Sequence, residues 1–490
     1  MKVAFAVSEC VPFAKTGGLA DVAGALVKAL KKRKADVCLV MPKYKNIDVE
    51  KFKLKPLINS LLIPIGGGLQ VANVWVGKLD RTINVYFIEN EQYFGREELY
   101  RTAAGGDYAD NAERFIFFSR AVLETLKAVD FQPDVLHCHD WQTGLIPAYL
   151  RTIYLLDGFY RHTASVFTIH NIAFQGFFPP EVMSTAGFAW FDFTPDKLEY
   201  YGQVNFMKAA ITFANVITTV SPTYAKEIQE SHELGRGMEN VLGGRSEDLY
   251  GIVNGIDLAE WNPEKDEYLP KNYTVKSLEN KVECKQALFE ELGWPVDLTI
   301  PVLGMVSRLD PLKGFDLLAQ AVHTLMQREI RLVILGRGDS MYEAALTKMA
   351  EKFPDRIAVK LDFNEPMAHK IYAGVDMFLM PSRFEPCGLA QMIAMRYGTV
   401  PVVHTTGGLA DTVVDYSPET KKGNGIAFTE YNCDAFLAAI DRGIALYNDK
   451  EQWGKILKNA MAGNFSWEKS VRKYQELYKL AIQKREAFNP

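Results

Sequence analysis

Met377-Phe378-Leu379-Met380-Pro381-Ser382-Arg383-Phe384-Glu385-Pro386-Cys387-Gly388-Leu389 is the stretch on which the fold reading turns. Its first four residues are a short apolar run bounded by Asp376 and Pro381, the pattern of a buried strand. A polar segment follows, and Ala390 to Tyr397 can continue as a helix. A Glu and an Arg therefore stand in a strand-to-helix loop, where Gly388 lets a ligand approach the backbone. Ligands of open α/β sheets bind outside the carboxyl ends of strands, so Glu385 is expected to face a substrate. Taken alone, the loop reads better as a surface turn with two charges.

The same pattern extends outward in both directions. Val302 to Val306 reads as a strand, followed by Ser307-Arg308-Leu309-Asp310-Pro311-Leu312-Lys313-Gly314 and a helix to Gln327. Leu332 to Leu335, Ile357 to Val359 and Val400 to Val403 are further strands with helices between them, which makes a parallel, doubly wound unit. Upstream, Gly251-Ile252-Val253-Asn254-Gly255-Ile256-Asp257 and the Pro-, Asn- and Lys-rich loop Asn262 to Lys276 mark a change of domain.

Before that change, Val3 to Val7 reads as a strand and Lys15-Thr16-Gly17-Gly18-Leu19-Ala20-Asp21 as a turn opening a helix. Leu19, Val22, Ala23, Leu26, Val27 and Leu30 give that helix its apolar period, and Asp36 to Met41 is the next strand. Leu61 to Ile65, Val71 to Val76 and Ile83 to Ile88 predict hairpins at one side of the sheet. Asp110 to Val129 is a long helix. Strands at Val135-Leu136, Ala164 to Ile169 and Val216 to Val220 lead into His137-Cys138-His139-Asp140-Trp141, His170-Asn171 and Ser221-Pro222. The fold class is α/β with two Rossmann-like doubly wound domains and a cleft between them, over residues 1–250 and 251–465. A final helix begins near Ser466.

The composition is that of a globular protein: 490 residues, 48% hydrophobic and 23% charged. With 55 basic and 60 acidic residues the net charge is -5, which gives no reason to expect nucleic acid or an anionic membrane as partner. The six cysteines are scattered without a Cys-x-x-Cys pair, against a disulfide framework or zinc site. The first residues carry too short an apolar run for a signal peptide, and a cytoplasmic enzyme is expected.

Several motifs suit an anionic substrate. Gly17-Gly18, with Lys15 before it, can offer backbone N–H groups to a diphosphate, and Thr406-Gly407-Gly408-Leu409 echoes it in the second half. Arg308 and Lys313 share one strand-to-helix loop and can grip phosphate oxygens. His137, His139 and Asp140 invite a metal reading, but lack a further ligand cluster with zinc spacing. His170 suits a sugar contact or a core position. Gly336-Arg337-Gly338-Asp339 lacks the full dinucleotide fingerprint, and neither a P-loop nor Gly-x-Ser-x-Gly occurs. A nucleotide-sugar enzyme fits these residues, which leave substrate and acceptor open.

As a set, the motifs resemble the bacterial glycogen synthase and plant starch synthase family. The matching pieces are Lys15 to Leu19, His139-Asp140-Trp141, His170 to Gly176, Leu249 to Asp257, Ser307-Arg308-Leu309 with Lys313-Gly314, Pro381 to Leu389, Thr406 to Leu409, and Phe465-Ser466-Trp467. The resemblance implies a retaining glycosyltransferase of the GT-B fold, with two domains facing a central cleft and residues 466–490 packing back on the first. It implies glucosyl transfer from ADP-glucose to an α-1,4-glucan, without metal or pyridoxal phosphate. By the same resemblance, Lys15, Gly17 and Gly18 approach the donor diphosphate and Arg308 and Lys313 neutralise the leaving ADP. Asp140, Asn254 and His170 contact the sugar region. Glu385, Cys387, Gly388 and Leu389 line the glucose and phosphate site, with Thr406, Gly407 and Gly408 on the donor side. Phe363 stands where the family often has Tyr and is expected to stack on adenine.

Two departures from the family pattern stand out. Many retaining relatives carry a second Glu eight positions after the first; Ile393 stands there, as in the glycogen and starch synthase branch. Lys34-Ala35 replaces a frequent Gly, with a local effect expected. The competing readings are a UDP-glucose donor or another acceptor, a GT-B epimerase, a phosphorylase, and a silent glucan-binding protein. A plastid location and the oligomeric state stay open.

Overall fold

The computed structural model divides the chain into one unit formed by Met1–Ile252 with Trp467–Pro490, and a second formed by Val253–Ser466. It describes residues 1–102 and 105–488.

In the first unit the apolar runs become β1 (Lys2–Ala6), β2 (Asp36–Pro42), β3 (Lys55–Ile65), β4 (Gly68–Leu79), β5 (Ile83–Glu89), β6 (Val135–His139) and β7 (Ala164–Ile169). The short strands β8 (Phe177–Phe178), β9 (Glu199–Tyr200) and β10 (Gln203–Asn205) form a separate small sheet, and β11 (Val216–Thr219) and β12 (Leu249–Gly251) return to the main one. The main sheet runs β12-β11-β7-β6-β1-β2-β5-β4-β3, with β3 and β4 antiparallel at one edge, as the hairpin reading predicts. Its parallel strands, counted in chain order, stand 3-2-1-4-5-6-7, so the order reverses between β1 and β6.

Helix Gly18–Lys32 buries Leu19, Val22, Ala23, Leu26, Val27 and Leu30, the residues of its apolar period. Just after it, Lys34 adopts φ 64°, the left-handed conformation that favours Gly. The final helix, Trp467–Ala487, buries Val471, Tyr474 and Tyr478. The Tyr478 hydroxyl lies 2.8 Å from His137 Nδ1, which ties this helix to β6. No helix of the described residues is long and apolar enough to cross a membrane.

The second unit carries β13 (Val302–Val306), β14 (Arg331–Leu335), β15 (Ile357–Lys360), β16 (Met377–Met380), β17 (Val400–His404) and β18 (Ile426–Phe428), all parallel. Their order, β15-β14-β13-β16-β17-β18, is the 3-2-1-4-5-6 of a doubly wound sheet, with the switch between β13 and β16. Leu303, Met305, Leu318, Val322, Ile334, Leu379 and Val402 lie in one buried core.

This topology separates the two Gly-Gly motifs. Gly17-Gly18 follow β1, the first strand of their sheet, whereas Gly407-Gly408 follow β17, the fifth of theirs. The positions are not equivalent, so the echo reflects similar helix starts and not a duplicated site.

Candidate active site

In the second unit the two loops at the switch point are stitched together. Arg383 N–H donates to Leu312 O at 2.9 Å. Gly314 has φ 79°, and a Cβ there would fall 2.0 Å from Pro381 O. This close approach sets Lys313 on Glu385, with Nζ 3.0 Å from Oε1 and 2.7 Å from Oε2. The Ser382 hydroxyl donates to Glu385 Oε2 at 3.0 Å. Only 7% of the Glu385 side chain is exposed, so the pair is largely desolvated. Arg308 is half exposed, with Nη2 3.8 Å from Asp310 Oδ2. Phe363 is an exposed ring beyond the end of β15.

Cys387 is buried, and burial pushes its thiol up to about 12, with the backbone and side-chain N–H groups of Asn254 opposing the rise. Asn254 Oδ1 is buried and accepts no hydrogen bond from the described residues. Gly388 has φ 69°, and Gln391 Nε2 clamps the loop by donating to Cys387 O and Gly388 O, both at 3.0 Å. Leu389 precedes helix Ala390–Arg396, in which Ile393 is buried where a second carboxylate would have stood.

Thr406 precedes the short helix Gly407–Thr412, whose glycines press against the Glu385 loop. Gly408 N–H donates to Glu385 O and Pro386 O, both at 3.1 Å. Its amide therefore braces the carboxylate loop, a different task from the diphosphate cradle read from the Gly-Gly pair. A Cβ at Gly408 would fall 2.1 Å from Cys387 O and 2.4 Å from Cys387 Cα, both backbone atoms that no rotamer can move. By contrast, a Cβ on Gly18 would meet nothing within 4 Å. Gly408→Ala is expected to destabilise the protein by about 2 kcal/mol and Gly18→Ala by less than about 0.5 kcal/mol. Thermal melts check this; equal midpoints for the two variants would contradict it.

In the first unit the residues likewise gather at the switch point, between β1 and β6. Glu9 is 4% exposed and was not singled out from the sequence. Its carboxylate accepts from Thr16 N–H, from Gly17 N–H at 3.2 Å, from the Thr16 hydroxyl at 2.8 Å and from Tyr100 OH at 2.9 Å. The Gly17 amide is thus committed inward, which narrows the cradle expected there to Lys15 and the uncapped start of helix Gly18–Lys32. Lys15 Nζ rests 2.7 Å from Asp21 Oδ1 and stays half exposed. The available signal for Glu9 was an acid just beyond a buried strand, but what it binds depends on the fold of the loop.

Asp140 has φ 54° and ψ 179°, a conformation L-residues rarely hold, at a cost of about 1–3 kcal/mol. Its Oδ1 accepts His170 N–H at 2.7 Å. Burial pushes the Asp140 carboxyl up to about 7, against the pull of the His170 and Asn171 N–H groups. His170 Nε2 lies 2.9 Å from His139 Nδ1, and burial lowers His170 to about 3, so its imidazole is neutral at working pH. His137 does not join a metal set, because its nitrogens meet Tyr478 OH at 2.8 Å and Thr168 Oγ1 at 2.6 Å. Gly176, at φ 70°, is required because a Cβ there would fall 2.6 Å from the Trp141 ring.

Residues 2–244 match the family model of the starch synthase catalytic domain, and residues 290–460 that of glycosyl transferases group 1. The glycogen synthase of Elusimicrobium minutum is 46% identical over 487 residues, covering 99% of this chain and 100% of that protein. The glycogen synthase of Thermotoga petrophila is 46% identical over 490 residues, covering 99% of each. Among solved structures, the catalytic domain of starch synthase IV from Arabidopsis thaliana bound to ADP and acarbose matches with a TM-score of 0.91. That match has 34% sequence identity and covers 98% of this chain and 99% of that one.

Proposed function

Since the chain belongs to the family of glycogen and starch synthases, we propose that it transfers glucose from ADP-glucose to the non-reducing end of an α-1,4-glucan with retention. The observation that carries the reading is the desolvated Lys313–Glu385 pair at the β13/β16 switch point, with Arg308 on the same loop as Lys313. The similar starch synthase IV, bound to ADP, supports ADP as the leaving group. A cytoplasmic location goes with the same reading.

Breaking the bond between the anomeric carbon and phosphate builds negative charge on ADP and positive charge on the sugar. Arg308 and Lys313 stabilise the first by preorganised electrostatics, with Lys15 as a further cation. These cations carry the charge without a metal or pyridoxal phosphate. Glu385 and ionised Asp140 hold the sugar and stabilise its cationic character. Neutral His170 and Asn254 Oδ1 serve as hydrogen-bonding partners for sugar hydroxyls, and Phe363 offers its exposed ring to adenine. The acceptor hydroxyl attacks on the face the leaving group departs from, and its proton passes to the departing phosphate oxygen. The two-carboxylate route of glycosidases would need a second acid beside the anomeric carbon, and Ile393 supplies none.

Cys387 is not a nucleophile in this scheme, since its buried thiol stays protonated at working pH. Cys387→Ser is expected to lower kcat by less than roughly tenfold, about 1.4 kcal/mol. Abolished transfer with donor binding intact would make the sulfur essential and contradict the scheme.

The function is tested by measuring ADP release from ADP-glucose against UDP release from UDP-glucose, with glycogen as acceptor. Faster ADP release, dependent on glycogen, is expected. Preference for UDP-glucose, or donor conversion without acceptor, would overturn the reading.

A further inference from the structure

The loop from His170 to Gly176 runs straight into β8, and both carry exposed aromatic rings. Phe174 is 43% exposed, Phe177 45% and Tyr201 86%. The rings of Phe177 and Tyr200 are 5.9 Å apart, and those of Tyr200 and Tyr201 4.6 Å. Large rings at such exposure forgo burial that would stabilise the fold.

The backbone adds an independent observation. Tyr201 and Gly202 form the turn between β9 and β10, with φ 50° and 77°. Two consecutive positive φ values are the geometry of a type I′ hairpin turn, which Asn, Asp and Gly adopt with ease. A bulky aromatic there is strained, and strain of this kind is kept where a side chain is needed for a task.

Hydrogen bonds tie the hairpin to its surroundings. Tyr200 OH donates to Gly237 O. Buried Lys208 Nζ donates to Pro195 O at 2.5 Å and to Glu199 O at 2.6 Å. Asn205 Nδ2 donates to Gln175 Oε1 at 2.9 Å, and Gln175 Nε2 to Ile172 O at 3.0 Å, which joins the hairpin to the His170 loop. The backbone that carries Phe177 and Tyr201 is thus held in place and joined to the loop of His170, which is assigned to sugar contact. Uncharged ring faces suit the C–H faces of an uncharged sugar chain.

We propose that Phe174, Phe177 and Tyr201 form a stacking platform for the glucan acceptor, with Tyr201 as its principal contact. The proposal rests on the glucan-acceptor reading above. Tyr201→Asn and Tyr201→Ala test it, and Asn is at ease at positive φ, so the first variant keeps the turn. Retardation in native gels containing glycogen, without donor, reads binding apart from catalysis. Both variants are expected to lose affinity for glycogen about three- to tenfold, with a matching rise in the KM for glycogen. The KM for ADP-glucose, and kcat at saturating glycogen, should stay within about twofold of the parent values. Unchanged retardation and glycogen KM, or no retardation of the parent protein at all, would overturn the platform. An equal rise in both KM values would also overturn it, as the sign of a general disturbance. Failure of the transfer reading is distinct: glycogen would retard the parent protein but never be extended by it.

Discussion

Lys313→Ala is expected to leave between about 0.1% and 1% of turnover, the loss typical of removing one preorganised donor from developing charge. Two effects add in this variant. In the proposed mechanism the departing diphosphate loses a cation, and Glu385 loses the partner that meets both its oxygens, at 3.0 and 2.7 Å. A desolvated carboxylate without its partner is destabilising, so the variant is compared with Lys313→Gln, which keeps a donor toward Glu385 but no charge. Steady-state kinetics on both, with circular dichroism to confirm folding, check the prediction. If a folded Lys313→Gln retained near-normal kcat/KM, the positive charge would have no part in leaving-group stabilisation.

Asp140→Asn is expected to lower kcat/KM about a hundredfold or more at pH 8 and to change the shape of the pH profile. Burial holds the Asp140 carboxyl near 7 in the parent protein, so the group is protonated below that pH and ionised above it. In the proposed mechanism the ionised form stabilises the cationic sugar, so kcat/KM should fall about tenfold per pH unit below 7 and level off above it. The Asn variant carries no titrating group there and should lose that acid limb. A limb near pH 7 that persisted unchanged in Asp140→Asn would assign the titration to another group.

The loops of the candidate site were legible because they follow apolar runs, whereas the roles of their residues came from the family resemblance. Arg308, Lys313 and Glu385 were read from two loops, and the order of strands β13 and β16 brings those loops together. The alternation of strands and helices likewise specified two doubly wound sheets, and close spacing specified the β3–β4 hairpin. What was not legible depends on backbone geometry. Gly17-Gly18 and Gly407-Gly408 share letters, yet the second pair is pressed on the Glu385 loop while a Cβ at the first would meet nothing within 4 Å. Glu9 gains its role only because the Thr16 and Gly17 amides turn toward it. The φ values of Asp140 and Tyr201, 54° and 50°, leave no mark in composition or spacing.

Retaining glucosyl transfer from ADP-glucose is followed in one tube by proton NMR, with ADP-glucose and a maltooligosaccharide as substrates. ADP should appear in step with new α-anomeric signals of 1,4-linked glucose, from the first product formed. A first product with a β linkage, or free glucose released while the acceptor stays unextended, would contradict it.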